Sequence, residues 1–243
     1  MKDSKPVGLG GHIHGIEVRA VFFDLDGTLL DSEVLYVDAV QLALARDGWW
    51  LSQPKCQELV YGRGWTDIYS EVCRLFPRAY TRIEDMEVVV RDVFLELRRS
   101  RDIIIRSSAD LLRRLAERYP VAVVSGSPRT DVKRGIEELG IGSLLQFYLG
   151  AEDYHPGKPD PICYLTAAAR MGVLPETCLV FEDSSAGVTA AKVASMYCVG
   201  LQRPGRPAQD LHLADAVVED LAGFDIHDFF RGLAESKKSS QSR

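Results

Sequence analysis

Hydrophobic residues along this chain form short apolar runs that alternate with longer segments of helical spacing. Six runs have the β-branched and aromatic content of buried strands, at 16–23, 121–124, 147–149, 178–181, 197–201 and 216–218. Four amphipathic segments between them are long enough to be crossover helices, at 108–119, 130–139, 162–171 and 186–194. This alternation predicts an α/β fold with a doubly wound parallel sheet.

The stretch between the first predicted strand and residue 104 has a different pattern. Its apolar positions keep helical spacing throughout, most clearly in a helix predicted at about 84–101, and no convincing strand interrupts them. We therefore predict an all-helical cap domain, 33–104, inserted into an α/β core domain that consists of 16–32 and 105–234.

The two ends of the chain are expected to lie outside these domains. Residues 1–15 contain glycines but no apolar segment of the kind found in secretory signals, and they are predicted to be a flexible leader. His12 and His14 could form a metal-binding pair, but no third ligand lies nearby in sequence, which favours the leader interpretation. Residues 235–243 are polar throughout and are predicted to be a disordered tail.

Composition argues against several partner classes. The 29 basic and 35 acidic residues give a net charge of −6, whereas a protein that binds nucleic acid usually carries a basic surplus. No run is long enough to span a bilayer. The five cysteines are scattered, without a C-x-x-C pair, which indicates reduced thiols. We expect a monomeric cytoplasmic protein without a nucleic-acid or membrane partner.

Polar side chains stand where four of the predicted strands end. They are Asp24 and Asp26, then Ser125, then Lys158 in the loop after the third strand, and finally Glu182 and Asp183. Because the carboxyl ends of parallel strands meet at one edge of a sheet, these groups are expected to converge. Grouped carboxylates repel one another unless a cation lies among them, and oxygen ligands without His or Cys favour Mg²⁺. A lysine and a hydroxyl beside that cation suit phosphoryl oxygens, so the sequence indicates metal-assisted phosphoryl transfer.

The same segments resemble the four motifs of the haloacid dehalogenase-like hydrolase superfamily. In chain order they are Asp-Leu-Asp-Gly-Thr-Leu-Leu-Asp-Ser at 24–32, Val-Val-Ser-Gly-Ser at 123–127, Gly-Lys-Pro-Asp-Pro at 157–161 and Phe-Glu-Asp-Ser-Ser-Ala-Gly-Val at 181–188. The similarity extends over about residues 18–220. The helical insertion resembles the cap of the branch that contains phosphoglycolate-type phosphatases and β-phosphoglucomutase.

The resemblance implies a role for each motif residue. Asp24 would be the nucleophile that forms an aspartyl-phosphate, and Asp26 would protonate the leaving oxygen and then activate water. The implied ligands of Mg²⁺ are Asp24, the Asp26 backbone carbonyl, Asp183 and Glu182, and the implied phosphoryl contacts are Ser125, Gly126, Thr28 and Lys158.

Three reactions have to be separated within this superfamily. Dehalogenation does not need an acid such as Asp26, so the motifs favour a phosphate enzyme. A β-phosphoglucomutase-like protein has a histidine after the first motif and a lysine and an arginine in its cap, and these are missing at the matching places here. We therefore predict a Mg²⁺-dependent phosphatase of a small phosphorylated metabolite. A phosphomutase and an inactive binding protein are the alternatives.

The predicted cap is expected to choose among sugar phosphates, phosphoglycolate and nucleoside monophosphates. Gly62, Arg63 and Trp65 form the candidate specificity loop, because Arg63 can bind a carboxylate or hydroxyls and Trp65 can stack on a sugar. The alternative is that Trp65 packs inside the cap and Arg63 is solvated. Hinges near Ser32 and 104–107 are expected to let the cap open and close.

Overall fold

The computed structural model describes residues 11–61 and 63–241. The strands are β1 (Gly11–Ile13), β2 (Ile16–Val18), β3 (Ala20–Phe23), β4 (Val121–Val124), β5 (Leu145–Leu149), β6 (Cys178–Glu182), β7 (Tyr197–Leu201) and β8 (Ala216–Val218). The helices are α1 (Ser32–Arg46), α2 (Gln53–Val60), α3 (Trp65–Leu75), α4 (Ile83–Ser100), α5 (Arg106–Ala116), α6 (Arg129–Leu139), α7 (Ile162–Met171), α8 (Ser185–Val193) and α9 (Ile226–Gln241). Short 3-10 turns lie at Ala151–Asp153 and Pro175–Thr177.

Six strands form a parallel sheet in the order β5-β4-β3-β6-β7-β8. The chain moves outward from β3 to β5, crosses back to β6 beside β3, and then moves outward on the other side. Phe23 in β3 lies opposite Val123 in β4 and Phe181 in β6. These three strands therefore end at the same level, and their following loops meet at one edge. The predicted doubly wound α/β fold is confirmed.

The four inner strands of the sheet, β4, β3, β6 and β7, are buried on both faces, as expected for parallel strands connected by helices. One face carries small and branched side chains such as Ala20 and Val124, and these pack against α7 and α8. Successive residues of a strand point to opposite faces, and on the other face Phe23 and Phe181 stack with their ring centroids 4.6 Å apart. The central strands are thus fixed from both sides, which holds their carboxyl ends in place.

The chain divides into two compact units, one made of the residues up to Leu30 and from Ile104 onward, and the other of Asp31–Ile103. The described residues of the second unit form α1 to α4 and no strand. Helix α1 packs against α2 and α4, and the Tyr36 ring stacks on Phe94 with centroids 4.1 Å apart. The predicted cap limits, 33 and 104, lie within two residues of the limits of this unit.

The two chain segments that connect the units run side by side. Within the first unit, the Ile105 amide donates to the Leu29 carbonyl at 2.9 Å. Within the second unit, the Asp31 amide donates to the Ile103 carbonyl at 2.8 Å. Two adjacent connections are the condition that the hinge hypothesis requires, and the hinge motion itself stays a prediction.

Both ends of the chain depart from the sequence-based expectations. The flexible leader is wrong for residues 11–15, because β1 pairs antiparallel with β2 through a turn at His14 and Gly15. Residues 1–10 of the predicted leader lie outside the described residues. The disordered tail is wrong as far as Gln241, since α9 begins at Ile226 and continues through this polar segment. Phe230 is buried against Tyr197 and anchors the first turns of that helix.

Two further expectations concern the whole chain. Within the part of the chain that the structure describes, no helix is both long and apolar enough to cross a membrane. All five cysteines are free thiols, and four of them are buried. Burial raises the pKa of Cys163 to about 11 and that of Cys178 to about 12, which keeps these thiols protonated at neutral pH.

Candidate active site

The candidate site begins with Asp24, the first residue after β3. Its amide donates to the Phe181 carbonyl at 3.0 Å, so β3 stays paired with β6 up to the catalytic candidate. The residue is only 6% exposed. A carboxylate this deeply buried requires a compensating charge or hydrogen bonds.

Lys158 supplies that compensation. Its Nζ donates to Asp24 Oδ1 at 2.6 Å, to Glu182 Oε1 at 2.5 Å and to the Val124 carbonyl at 3.2 Å. Three bonds match the three protons of an ammonium group, so the lysine is held at the ends of three neighbouring strands. A lysine in a Gly/Pro-rich loop is normally solvated, but this side chain is only 10% exposed.

The charges at this edge shift the pKa values of both partners. Burial raises the pKa of Asp24 well above its usual range, and nearby Glu182 and Asp26 add to the rise while Lys158 opposes it. Burial lowers the pKa of the Lys158 ammonium, but Asp24 and Glu182 outweigh this and hold it well above its usual range. Asp24, Asp26 and Glu182 are three carboxyl groups beside one lysine, so a further cation at this edge would reduce their mutual repulsion.

Glu182, the last residue of β6, is completely buried, and both of its oxygens accept hydrogen bonds. Oε1 accepts from Lys158 and from the Tyr164 hydroxyl at 2.8 Å, while Oε2 accepts from the Ser184 hydroxyl at 3.0 Å and the Ser184 amide at 3.3 Å. Four donors fill the usual capacity of a carboxylate. Sequence reasoning did not identify Tyr164, whose apolar surroundings in α7 indicate only a core position.

The turn after β3 sets the position of Asp183. Gly27 has φ +85°, in the left-handed region, and a Cβ on Gly27 would lie 1.9 Å from Asp183 Oδ2. The Thr28 hydroxyl donates to Asp183 Oδ1 at 3.2 Å. Thr28 is fully buried, and its side chain orients this carboxylate, while the phosphate contact predicted for Thr28 stays a prediction. Gly27 therefore leaves the space that the Asp183 carboxylate occupies, and Thr28 holds that carboxylate by a hydrogen bond.

Asp24, Glu182 and Asp183 form a group of carboxylates in the described chain that could hold a metal ion. One oxygen from each lies within 4.8 Å of the others. These are hard oxygen ligands without nitrogen or sulfur, which suits Mg²⁺. The donor chemistry and the raised pKa of Asp24 both fit a divalent cation at this edge.

Asp26 and the loop after β4 form the second part of the site. The Ser125 hydroxyl donates to Asp26 Oδ2 at 3.1 Å, and the Ser127 hydroxyl donates to the same oxygen at 2.6 Å. The Tyr154 hydroxyl donates to the Ser125 carbonyl at 2.7 Å and steadies this loop. Gly126 is exposed between the two serines. Ser127 and Tyr154 were not identified from the sequence, although a second serine two residues after Ser125 was a usable signal.

The candidate specificity residues belong to the helical unit. Gly62 lies outside the described residues. Arg63 is exposed, and Trp65, the first residue of α3, is partly buried with its ring edge-on to Tyr36 at 5.7 Å between centroids. Trp65 therefore has a packing contact, as its alternative interpretation requires, while part of its surface stays accessible.

The fold and this site together define a class of hydrolase that uses aspartates at the edge of a parallel sheet. A family model described as haloacid dehalogenase-like hydrolase matches residues 18–195, and the chain belongs to this family.

Characterised relatives narrow the activity. The chain is 30% identical to validoxylamine A 7'-phosphate phosphatase of Streptomyces hygroscopicus subsp. limoneus, over 84% of this chain and 94% of the relative. It is 29% identical to phosphoglycolate phosphatase of Pseudomonas putida, over 84% of this chain and 77% of the relative. The chain is accordingly a phosphomonoester hydrolase, a phosphatase of sugar-like or other small molecules.

A solved structure supports membership of the same family. The crystal structure of a family hydrolase from Deinococcus radiodurans, with bound phosphate and sodium, has a TM-score of 0.68 and 28% identity, and covers 90% of this chain and 96% of that one. The two named phosphatases act on different phosphate esters, so membership of the family leaves the substrate open.

Proposed function

We propose that this protein hydrolyses a small phosphomonoester, such as a sugar phosphate or a phosphoglycolate-like acid, through an aspartyl-phosphate on Asp24 with Mg²⁺ as cofactor. The observation that carries the proposal is the buried Asp24 carboxylate, bonded to Lys158 at 2.6 Å and grouped with Glu182 and Asp183. Family membership and the named phosphatase relatives support it.

The first step transfers the phosphoryl group to the protein. A carboxylate oxygen of Asp24 forms a bond to phosphorus, and the bond from phosphorus to the ester oxygen breaks with its electron pair on that oxygen. Asp26 gives its proton to the departing oxygen, which leaves as an alcohol. Ser125 and the Gly126 amide hold the phosphoryl oxygens during transfer, and the positive charge of Lys158, positioned by Asp24 and Glu182, stabilises their negative charge.

The second step restores the enzyme. Asp26, now ionised, takes a proton from water while the water oxygen bonds to phosphorus. The bond between phosphorus and Asp24 breaks and returns its electron pair to the carboxylate. The products are inorganic phosphate, a free Asp24 and a protonated Asp26, which is the starting state for the next cycle.

Asp24, Asp183 and the Asp26 backbone carbonyl would hold Mg²⁺ in this scheme. When bound, the ion neutralises charge on the phosphoryl oxygens. The four hydrogen bonds that Glu182 already accepts favour a separate role for that residue, which is to orient Lys158.

The test is a phosphate-release screen over glucose 6-phosphate, fructose 1-phosphate, 2-phosphoglycolate and para-nitrophenyl phosphate, with Mg²⁺ and with EDTA. We expect Mg²⁺-dependent release that Asp24→Asn lowers by at least about 1,000-fold. Asp110→Asn removes an exposed carboxylate from α5 and serves as the matched control, with unchanged activity expected. Equal activity of the wild type and Asp24→Asn on every ester would refute the proposal.

Phosphomutase activity is the second candidate, because the first motif and the acidic pair are compatible with it. β-Glucose 1-phosphate with a bisphosphate activator separates the two functions. We expect phosphate release to exceed isomerisation, since the histidine that follows the first motif in the mutase pattern and the cap lysine of that pattern are both missing. Isomerisation faster than phosphate release would replace our proposal.

The remaining proposals concern context. We propose that the protein works as a monomer in the cytoplasm on a small phosphorylated metabolite, without a nucleic-acid or membrane partner. The five free thiols and the net charge of −6 support this setting. Size-exclusion chromatography with light scattering tests the monomer, and a dimer mass would contradict it.

A further inference from the structure

The hydrogen bonds around Asp26 involve a residue to which the scheme above gives no role. Asp26 Oδ2 accepts from two hydroxyls, and the shorter bond, 2.6 Å, comes from Ser127 rather than from Ser125 at 3.1 Å. The Ser127 amide donates to the Ser125 hydroxyl oxygen at 3.0 Å. One residue of the β4–α6 loop therefore contacts both the proposed acid and the proposed phosphoryl ligand.

Ser125 cannot serve both of its partners at once. A serine hydroxyl has a single proton to donate, and in this structure it is directed to Asp26. When that proton is given to a phosphoryl oxygen of the substrate, Asp26 loses the hydrogen bond from Ser125. The bond from Ser127 does not depend on the Ser125 proton and is retained.

The backbone holds Ser127 in place for this task. The Ala151 amide donates to the Ser127 carbonyl at 2.9 Å, and Pro128 follows directly, which restricts the backbone of the preceding residue to extended conformations. With Oδ2 fixed, the plane of the carboxyl group and the direction of Oδ1 are fixed as well. A general acid has to lie within hydrogen-bond reach of the oxygen that it protonates, so this orientation affects the rate.

We infer that Ser127 is a positioning residue that holds Asp26 in the orientation for proton transfer while Ser125 turns to the phosphoryl group. The inference rests on the proposed function, and it assigns to Ser127 no contact with the substrate. The step it affects is the one in which the ester oxygen takes the proton of Asp26 as its bond to phosphorus breaks.

Leaving groups of different basicity test this role. An alkoxide must be protonated as it leaves, whereas para-nitrophenolate is stable without a proton. The value of kcat/KM covers only the steps up to formation of the aspartyl-phosphate. We expect Ser127→Ala to lower kcat/KM for the fastest alkyl ester of the panel about tenfold more than kcat/KM for para-nitrophenyl phosphate. Ser127→Thr, which keeps the hydroxyl, should restore the wild-type ratio.

Control variants separate this effect from phosphate binding and from folding. Ser125→Ala should lower kcat/KM for both ester types by a similar factor, because its proposed contact is with the phosphoryl group. Ser127→Cys keeps the side-chain size with a poorer donor and should reproduce the effect of Ser127→Ala, which covers the case in which the alanine variant does not fold. Equal losses on both ester types, or no loss, would overturn the role of Ser127. The proposed function fails separately, through full activity of Asp24→Asn.

Discussion

The two compact units of this protein hold their candidate residues in different ways. In the α/β unit, Asp24 and Glu182 are buried at the ends of β3 and β6, and both accept hydrogen bonds from Lys158. In the helical unit, Arg63 is exposed and Trp65 makes an aromatic contact with Tyr36. A buried charge is stable only when it is paired or hydrogen-bonded, so several contacts fix the position of each of these side chains. Water solvates an exposed arginine, so its side chain does not need a fixed partner.

This difference suggests a division of roles that variants can test. Changes in the α/β unit should remove the reaction for every ester, and many of them should also destabilise the fold. Changes at Arg63 and Trp65 should alter which ester is preferred, or the local stability, and leave the reaction itself intact.

The largest effect is expected from Lys158→Met. The variant leaves two buried carboxylates, Asp24 and Glu182, without the cation that lies between them. Loss of one partner from a buried ion pair costs about 3–5 kcal/mol. The positive charge that stabilises the phosphoryl oxygens is lost as well, so we expect activity to fall at least about 100-fold. Urea unfolding and release of phosphate from para-nitrophenyl phosphate measure the two effects.

Two further variants make the result for Lys158 specific. Lys133→Met removes an exposed lysine of α6 that lies 3.8 Å from Glu137, and it should change stability by less than about 1 kcal/mol. Adding Glu182→Gln to Lys158→Met should recover part of the lost stability, because a neutral amide replaces one unpaired charge. A double variant less stable than Lys158→Met would contradict the electrostatic explanation.

Gly27→Ala is expected to come second. The substitution places a Cβ at positive φ and 1.9 Å from Asp183 Oδ2, so the carboxylate has to move. We expect a loss of about 1–2 kcal/mol from the backbone conformation, a further loss from the clash, and a higher Mg²⁺ concentration for half-maximal activity. Titration of activity with Mg²⁺ provides the measurement.

Gly172→Ala is the matched control, since Gly172 also has positive φ but no atom lies within 4 Å of its Cβ position. It should share the backbone cost and keep the wild-type Mg²⁺ dependence. If both alanine variants shift the Mg²⁺ dependence equally, contact with Asp183 is not the cause.

Arg63→Ala should have a smaller effect that depends on the substrate. We expect KM for 2-phosphoglycolate to rise about tenfold, equivalent to about 1.4 kcal/mol of binding, with kcat for para-nitrophenyl phosphate within about twofold of wild type. Arg78→Ala removes another exposed arginine of the helical unit and should leave both values unchanged. An equal rise of KM for both esters would show that Arg63 does not recognise the carboxylate.

The smallest effect is expected from Trp65→Phe. The edge-on contact with Tyr36 is worth about 0.5–1.5 kcal/mol, and a smaller ring retains part of it. We expect a loss of about 1 kcal/mol or less in urea unfolding. Trp50→Phe changes a side chain that is 74% exposed and should have no measurable effect. If Trp65→Phe changes KM without changing stability, Trp65 is a specificity residue rather than a packing residue.

Regular elements of the core were predictable because their signals are local. Apolar runs such as 178–181 lie inside observed strands, and the helix predicted at 162–171 matches α7. The structure of the two chain ends was not predictable from the sequence. The polar tail contains no apolar periodicity, but a helix that Phe230 anchors can extend into it at little cost, since propagation is easier than nucleation.

The residues of the candidate site also fall into two groups, those that the sequence revealed and those that it did not. A carboxylate at the end of a buried strand can be recognised in the sequence because its burial requires a compensating charge or hydrogen bonds. Lys158 could be recognised only from the motif around it. Tyr164 and Ser127 carry no such signal, because a tyrosine among apolar residues and a serine in a turn are ordinary. Their roles depend on the rotation of α7 and on the path of the β4–α6 loop.

The sequence by itself determined the α/β class, the helical insertion and the four polar strand ends, because each follows from hydrophobic periodicity or from the cost of a buried charge. Only the tertiary structure decided which group each of these residues contacts. Glu182 accepts from Lys158 and Tyr164, Thr28 donates to Asp183, and two serines share Asp26. Those contacts join residues as much as 155 positions apart, and hydrogen bonds of this range depend on strand register and loop direction, which local patterns do not encode.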